Sequence, residues 1–253
     1  MDNPWIAKME QFTRFSPPER QKLQALSDER HQDYKAREDI LIEGEHVDEC
    51  HVVLTGLAMR YKILPTGERQ IMAFLVPGDL CDAEIFILKE MDHSVAAVSP
   101  TTTALISSKI MKEMLRSSGA LAEALWWGTL TDLGVLRERI IDHGRRNAHV
   151  RMAHLIYELL IRYRVSGNAK DNSFDFPVTQ EELGDATGMT PIHANRMLQR
   201  LRKEGLITLE NKCLTVADPK GLKKLARFEA NYLHLDRAHD DADGVSTRVG
   251  DLV

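Results

Sequence analysis

Six side chains between His193 and Lys203 could do chemistry together: His193, Asn195, Arg196, Arg200, Arg202 and Lys203. All can donate hydrogen bonds, and four carry a positive charge at neutral pH. An arginine fork matches guanine N7 and O6 or a phosphate, and an asparagine amide matches adenine. Ile192, just ahead of them, is apolar and suits a thymine methyl. Such a set fits a polyanion with readable edges, namely double-stranded DNA. The charge is segregated accordingly. Residues 189–204 hold four Arg and Lys against one Glu, whereas residues 236–253 hold five Asp against two Arg, in a chain of net charge −5. The basic part coincides with the donor-rich segment.

Two helices must position these groups. Thr179 opens a T-x-x-E capping box with Glu182, and Leu183 and Ala186 form the apolar side of the first helix. Gly188 ends it in a left-handed conformation. Thr190 caps the second helix with Pro191 at its first position, where a missing N–H costs nothing. That helix buries Ala194, Met197, Leu198 and Leu201. The layout is a helix-turn-helix, whose second helix enters a major groove by its N-terminal half. Pro191 and Ile192 cannot make polar base contacts, so readout falls on His193, Asn195 and Arg196. Thr179, Gln180, Thr190 and Arg200 are candidates for phosphate contacts, which set register rather than sequence. Strand-like runs at 206–209 and 213–216 around Asn211-Lys212 predict a wing hairpin. A last short helix over 219–228 follows, with Tyr232, Leu233 and Leu235 packing back.

Upstream, Ser16, Pro17, Pro18 and Glu19 open a short helix with Leu23 and Leu26 on its apolar side. From about Tyr34 to Ser108 the pattern is β-type: runs at 39–45, 51–64, 70–79, 95–98 and 101–106 are separated by turns at Gly44, Gly56, Gly67 and Pro77-Gly78. Short strands at this spacing predict a barrel or sandwich. Between 120 and 147 the period becomes helical, with Ala122, Trp126, Thr129, Leu133, Leu136, Ile140 and His143 recurring at alternating steps of four and three. That heptad seam suits pairing with a second copy of the chain. Trp127, Leu130 and Ile141, on another side, are expected to pack on the β domain. Arg145-Arg146-Asn147 breaks the seam as a hinge, and Met152, Leu155, Ile156, Leu159 and Leu160 mark a further helix before a loop at 166–173. The fold class is α+β: a β-rich domain over 12–118, a long dimerisation helix over 119–146, a winged helix-turn-helix over 147–235, and an acidic tail over 236–253 expected to be disordered.

Composition bounds the function. The chain has 253 residues, 43% hydrophobic and 28% charged, with no run long enough for a membrane span and no signal-peptide pattern at its start, which implies a cytoplasmic protein. Cys50, Cys81 and Cys213 are scattered and form no C-x-x-C, so neither a disulfide framework nor a zinc site is implied. No G-x-S-x-G, P-loop or H-E-x-x-H is present, so the reading is not an enzyme. The alternative is a ligand-binding or protein-interaction module whose winged helix never meets DNA. The basic second helix disfavours it.

Taken in order, L-I-E-G-E (41–45), V-L-T-G (53–56), P-T-G-E (65–68), P-G-D (77–79) and T-Q-E-E-L-G-x-x-T-G-M-T-P-x-H-x-N-R (179–196) resemble the Crp/Fnr superfamily of bacterial transcription regulators, and T-P-I-H-A-N-R resembles a subgroup common in alphaproteobacteria. The likeness spans about 12 to 235. It implies a cyclic-nucleotide-binding-like β-roll that senses a signal, a helix that dimerises, a palindromic operator, and contact with RNA polymerase. It also implies an effector pocket at Asp82, Ala83, Glu84, His93 and Ser94, with Leu136 and Arg137 on the long helix. Members that bind cyclic AMP place a Glu and an Arg after P-G-D, and alignment on Pro77-Gly78-Asp79 puts Ala83 and His93 there. A histidine lacks the fixed fork for a cyclic phosphate, so cyclic AMP is not expected as effector. No cofactor is required. An iron–sulfur cluster is disfavoured because no cysteine precedes Cys50, and haem is disfavoured because His51, Cys81 and His93 are more readily explained as structural residues.

Overall fold

The computed structural model describes residues 3–82, 87–88 and 90–235. The expected disorder of 236–253 lies outside the described residues. The N-terminal unit begins with α1 (Pro4–Met9) and α2 (Pro17–Glu29) and continues through β1 (His31–Tyr34), β2 (Asp39–Leu41), β3 (Glu49–Thr55), β4 (Ala58–Ile63), β5 (Arg69–Leu75), β6 (Ser94–Ala97) and β7 (Thr101–Ser107). The strands form two antiparallel sheets, ordered β1-β7-β3 and β2-β6-β4-β5. The run expected at 51–64 is two strands folded about Gly56. Its φ is +85°, and a Cβ there would lie 2.4 Å from the Pro100 carbonyl oxygen, so only glycine fits the turn.

Three elements here lie outside the expected runs: α1 and β1, too short to show a period, and α3 (Ser108–Ser117), although its Ile110, Met111, Met114 and Leu115 recur at helical spacing. Asn3 caps α1, accepting from the Trp5 and Ile6 amides, and Trp5, Ile6 and Met9 are buried in the roll. The β-roll core therefore takes in residues ahead of position 12. Ser16 and Glu19 do form the expected capping box on α2.

After α3 come α4 (Gly119–Gly144) and α5 (Ala148–Val165), joined at Arg145–Asn147, with Asn147 capping α5 through the Val150 amide. Then follow β8 (Ser173–Asp175), which begins at the last residue of the stretch expected to be loop, α6 (Gln180–Thr187), α7 (Pro191–Lys203), the hairpin β9 (Ile207–Glu210) and β10 (Cys213–Val216), α8 (Pro219–Ala226) and a 3₁₀ turn (Ala230–Leu233). The wing sheet is ordered β8-β10-β9. Asn211 and Lys212 both have positive φ, the geometry of a tight two-residue hairpin turn. Tyr232, Leu233 and Leu235 pack back as expected.

The four-stranded sheet is covered on both faces. Side chains alternate along a strand, so on β6 Val95 and Ala97 enter the roll interior, while Ala96 joins a second core. That second core also holds Met59, Tyr61, Ile71 and Phe74, nearly the whole of α5, and the buried sides of α6 and α7. The helix-turn-helix unit thus shares one continuous core with the β-roll. On α4 the side turned inward carries Leu121, Ala124, Thr131, Gly134, Val135, Arg139 and Asp142. Trp127 stacks on Phe12 at 6.0 Å between ring centroids. Leu130 and Ile141, expected to face the β domain, are exposed instead, because the tightest approach is made at small and polar positions. No helix among the described residues is long and apolar enough to cross a membrane.

Candidate nucleic-acid interface

Local sequence dictates the helix pair. The Thr179 amide donates to Glu182 Oε2 at 2.7 Å, and the Glu182 amide donates back to Thr179 Oγ1 at 3.2 Å. The Thr179 hydroxyl also donates to Glu182, so its groups serve the cap. Gly188 ends α6 at φ +61°, and Thr190 Oγ1 accepts from the His193 amide to start α7. Ala194, Met197, Leu198 and Leu201 are buried against the rest of the unit, as the spacing predicts.

The outer face of α7 is open. Ile192 is 83% exposed, Pro191, Arg196, Gln199 and Arg200 are exposed, and His193 and Asn195 are half-buried beside them. Ile192, Arg196 and Gln199 fall at i, i+4 and i+7 and line one stripe. Gln199 is not among the residues that the motif marks, yet its amide is of the type that pairs with adenine; it accepts from Arg202 at 3.2 Å. Among the described residues Arg196 makes no hydrogen bond or ion pair, which leaves its fork available. Arg200 is held by Glu204 at 2.8 Å, and Glu204 also lies 3.1 Å from His149 at the start of α5. Gln180, exposed at the first position of α6, stands beside that helix's N-terminus, where amide dipoles favour an anion.

The seam residues share one solvent-exposed side of α4. Trp126 and Ile140 are 67% and 72% exposed; Thr129, Leu133, Leu136 and His143 are exposed, and Ala122 is partly so. Where α4 meets α5 the interior is ionic. Arg139 donates to Asp142 and Glu158, Arg146 to Glu138 and Asp142, and Tyr232 to Glu158. Burial works against the Asp142 carboxylate, but the His154 imidazole and the Arg139 and Arg146 charges hold its pKa down at about 2.

Of the residues aligned with an effector pocket, the structure describes Asp82, His93, Ser94, Leu136 and Arg137. Asp82 is fully buried and accepts from the His51 amide at 3.0 Å, with His51 Nδ1 2.8 Å away. Ser94 Oγ accepts from the Glu43 amide, and His93 Nδ1 lies 2.6 Å from Asp92. Leu136 and Arg137 are exposed on α4, whereas Asp82, His93 and Ser94 are buried in the roll. Ala83 and Glu84 lie outside the described residues.

Comparison with known proteins agrees with this architecture. Residues 31–118 match the family model of the cyclic nucleotide-binding domain and residues 150–225 that of the Crp-like helix-turn-helix domain. The chain is 28% identical to the transcriptional activator protein FnrL of Cereibacter sphaeroides over 218 residues, covering 83% of this chain and 81% of the relative. It is 27% identical to the nitrogen fixation regulation protein FixK of Rhizobium meliloti over 195 residues, 76% of this chain and 85% of the relative. The structure of FixK2 from Bradyrhizobium japonicum superposes with a TM-score of 0.70 at 24% identity, over 79% of this chain and 98% of that one. A β-roll, a long helix and a capped, basic helix-turn-helix stand here in the order that these regulators share along most of their length, and that order has one reading: the chain belongs to the Crp/Fnr superfamily and is a DNA-binding transcription regulator, not an enzyme.

Proposed function

We propose that the protein acts in the cytoplasm as a homodimer that reads a palindromic operator and acts on RNA polymerase from it. The observation that carries this reading is the open stripe on α4. Large apolar side chains left uncovered along a 26-residue helix call for a cover, and heptad spacing suits a second copy of the same helix. Two-fold symmetry then presents the α7 helices to half-sites about 34 Å apart, one turn of DNA. Ile192, His193, Asn195 and Arg196 read base edges from the helix that Pro191 opens, and Thr179, Gln180, Thr190 and Arg200 lie against phosphates. For Thr179 and Thr190, whose hydroxyls cap helices, that contact involves the helix ends they cap.

The effector on this reading is not cyclic AMP. His93 stands where the resemblance calls for a phosphate-binding arginine, and it is turned to Asp92. Asp82, Ala83, Glu84, Ser94, Leu136 and Arg137 remain the positions at which another ligand would be sought. Sedimentation of the purified protein, with selection of its operator from random DNA, tests the proposal. A dimer and two inverted half-sites are expected; a monomer at micromolar concentration, or a single unrepeated site, overturns it.

A further inference from the structure

The β-roll grips the first helix of the helix-turn-helix from two sides. On β5, Arg69 Nε donates to Asp185 Oδ2 at 2.8 Å, and the Gln70 side-chain amide donates to the Asp185 carbonyl at 2.7 Å. In the turn between β1 and β2, Arg37 lies with Nε 2.7 Å from Glu182 Oε1 and donates through Nη2 to Glu182 Oε2 and to the Pro177 carbonyl. Glu182 and Asp185 are three residues apart on α6. Glu182 is buried and is also the capping-box acid of that helix, so one carboxylate both starts α6 and fastens it to the other domain. Arg37 reaches it from a backbone with φ +71°, a conformation that residues with a side chain rarely adopt.

None of these groups lies on the reading face of α7, and the ion pairs are partly exposed, so they are weak individually. The shared apolar core beneath them already holds the two domains together. What directional polar bonds add to a non-directional apolar contact is a defined orientation. The α6–α7 angle is set by the Gly188 turn, so fastening α6 to the sheet also aims α7.

We infer that Arg37, Arg69 and Gln70 are positioning residues that set the orientation of the recognition helix relative to the β-roll, and through it the half-site spacing the protein accepts. This rests on the two-half-site reading above. In a two-site complex, the second half-site adds affinity only when the linkage geometry allows both to engage at once. A recognition helix free to swivel reads one half-site as well as before and gains less from the second.

The test is the double variant Arg37→Ala, Arg69→Ala, assayed on the selected operator, on a single half-site, and on operators with spacers lengthened or shortened by one to three base pairs. Wild type is expected to bind its preferred spacing far more tightly than the others. The variant should lose about tenfold or more on the preferred operator, a part of the gain linkage supplies, while half-site affinity stays within about twofold and the spacing preference flattens. The exchange Arg69→Asp with Asp185→Arg should return part of the preference that Arg69→Asp alone removes. Unchanged spacing preference in the double variant overturns the inference while leaving the dimer reading intact. So does an equal loss on half-site and operator with a lowered Tm, which marks a merely structural role. A wild type that gains nothing from the second half-site overturns the two-half-site reading and this inference with it.

Discussion

Arg139 on the long helix and Glu158 on the helix after the hinge meet at 2.7 Å with both side chains buried. Glu158 also accepts the Tyr232 hydroxyl at 2.9 Å and lies 3.6 Å from Arg162 Nη1, so one carboxylate neutralises cations from both helices. Glu158→Ala leaves Arg139 and Arg162 buried without it, which costs about 3–5 kcal/mol. Urea unfolding should show that loss. A change under about 1 kcal/mol would mean that water compensates the site.

Gly188→Ala should destabilise the protein by about 1–2 kcal/mol, the cost of a side chain in the left-handed region. A Cβ there would also lie 2.9 Å from His143 Nδ1, at the end of α4. Thermal unfolding measures the first effect. Weaker operator binding should accompany it, because the displaced turn carries α7.

Ile140→Asp should convert a dimer to a monomer with little change in the fold of the single chain, where the side chain is 72% exposed. Sedimentation velocity reads the mass, and circular dichroism reads the fold. Retention of a stable dimer would move the interface elsewhere.

Arg196→Ala should weaken operator binding by about 1–3 kcal/mol and relax preference at one base pair per half-site. Arg200→Ala should weaken all sequences alike and lower the slope of log K against log salt by about 1 for each phosphate no longer neutralised. Mobility-shift titrations on matched and mismatched operators separate the two.

Partial desolvation of its ring, and then the Arg151 guanidinium, hold the His143 imidazole below its ordinary value of 6.5. The unfolded chain therefore binds more protons than the folded one in the window below pH 6.5, and stability falls as pH drops through it. His143→Gln should reduce that fall. A Tm that climbs as the buffer is taken from neutral to mildly acidic would contradict this sign.

Much of the DNA-reading end is legible in the sequence because local rules govern it. The Thr179–Glu182 box, the Gly188 turn, the Thr190–Pro191 start and the buried set Ala194, Met197, Leu198 and Leu201 each depend on residues within a turn or two of one another. The seam from Trp126 to His143 is legible for the same reason, as an exposed period along one helix. Leu130 and Ile141 depart from expectation because their burial depends on how closely a distant sheet approaches α4. Gln199 escapes notice because a polar residue on a helix surface carries no signal until the face it shares with Arg196 is known.

The order of units, the ends of the reading helices and the donors they present thus follow from the sequence alone, since caps, turns and periodicity act over short separations. Three features exist only in the packed molecule: the outer face of the β2-β6-β4-β5 sheet shares one core with the winged-helix unit, Arg139, Asp142 and Glu158 form an ionic junction, and Arg37 and Arg69 hold α6 across 145 and 116 positions of chain. Those contacts join residues whose types are ordinary surface charges and strand apolars. Nothing in their neighbourhood along the chain marks them, because the information lies in the packing of sheets and helices against one another and not in any one segment.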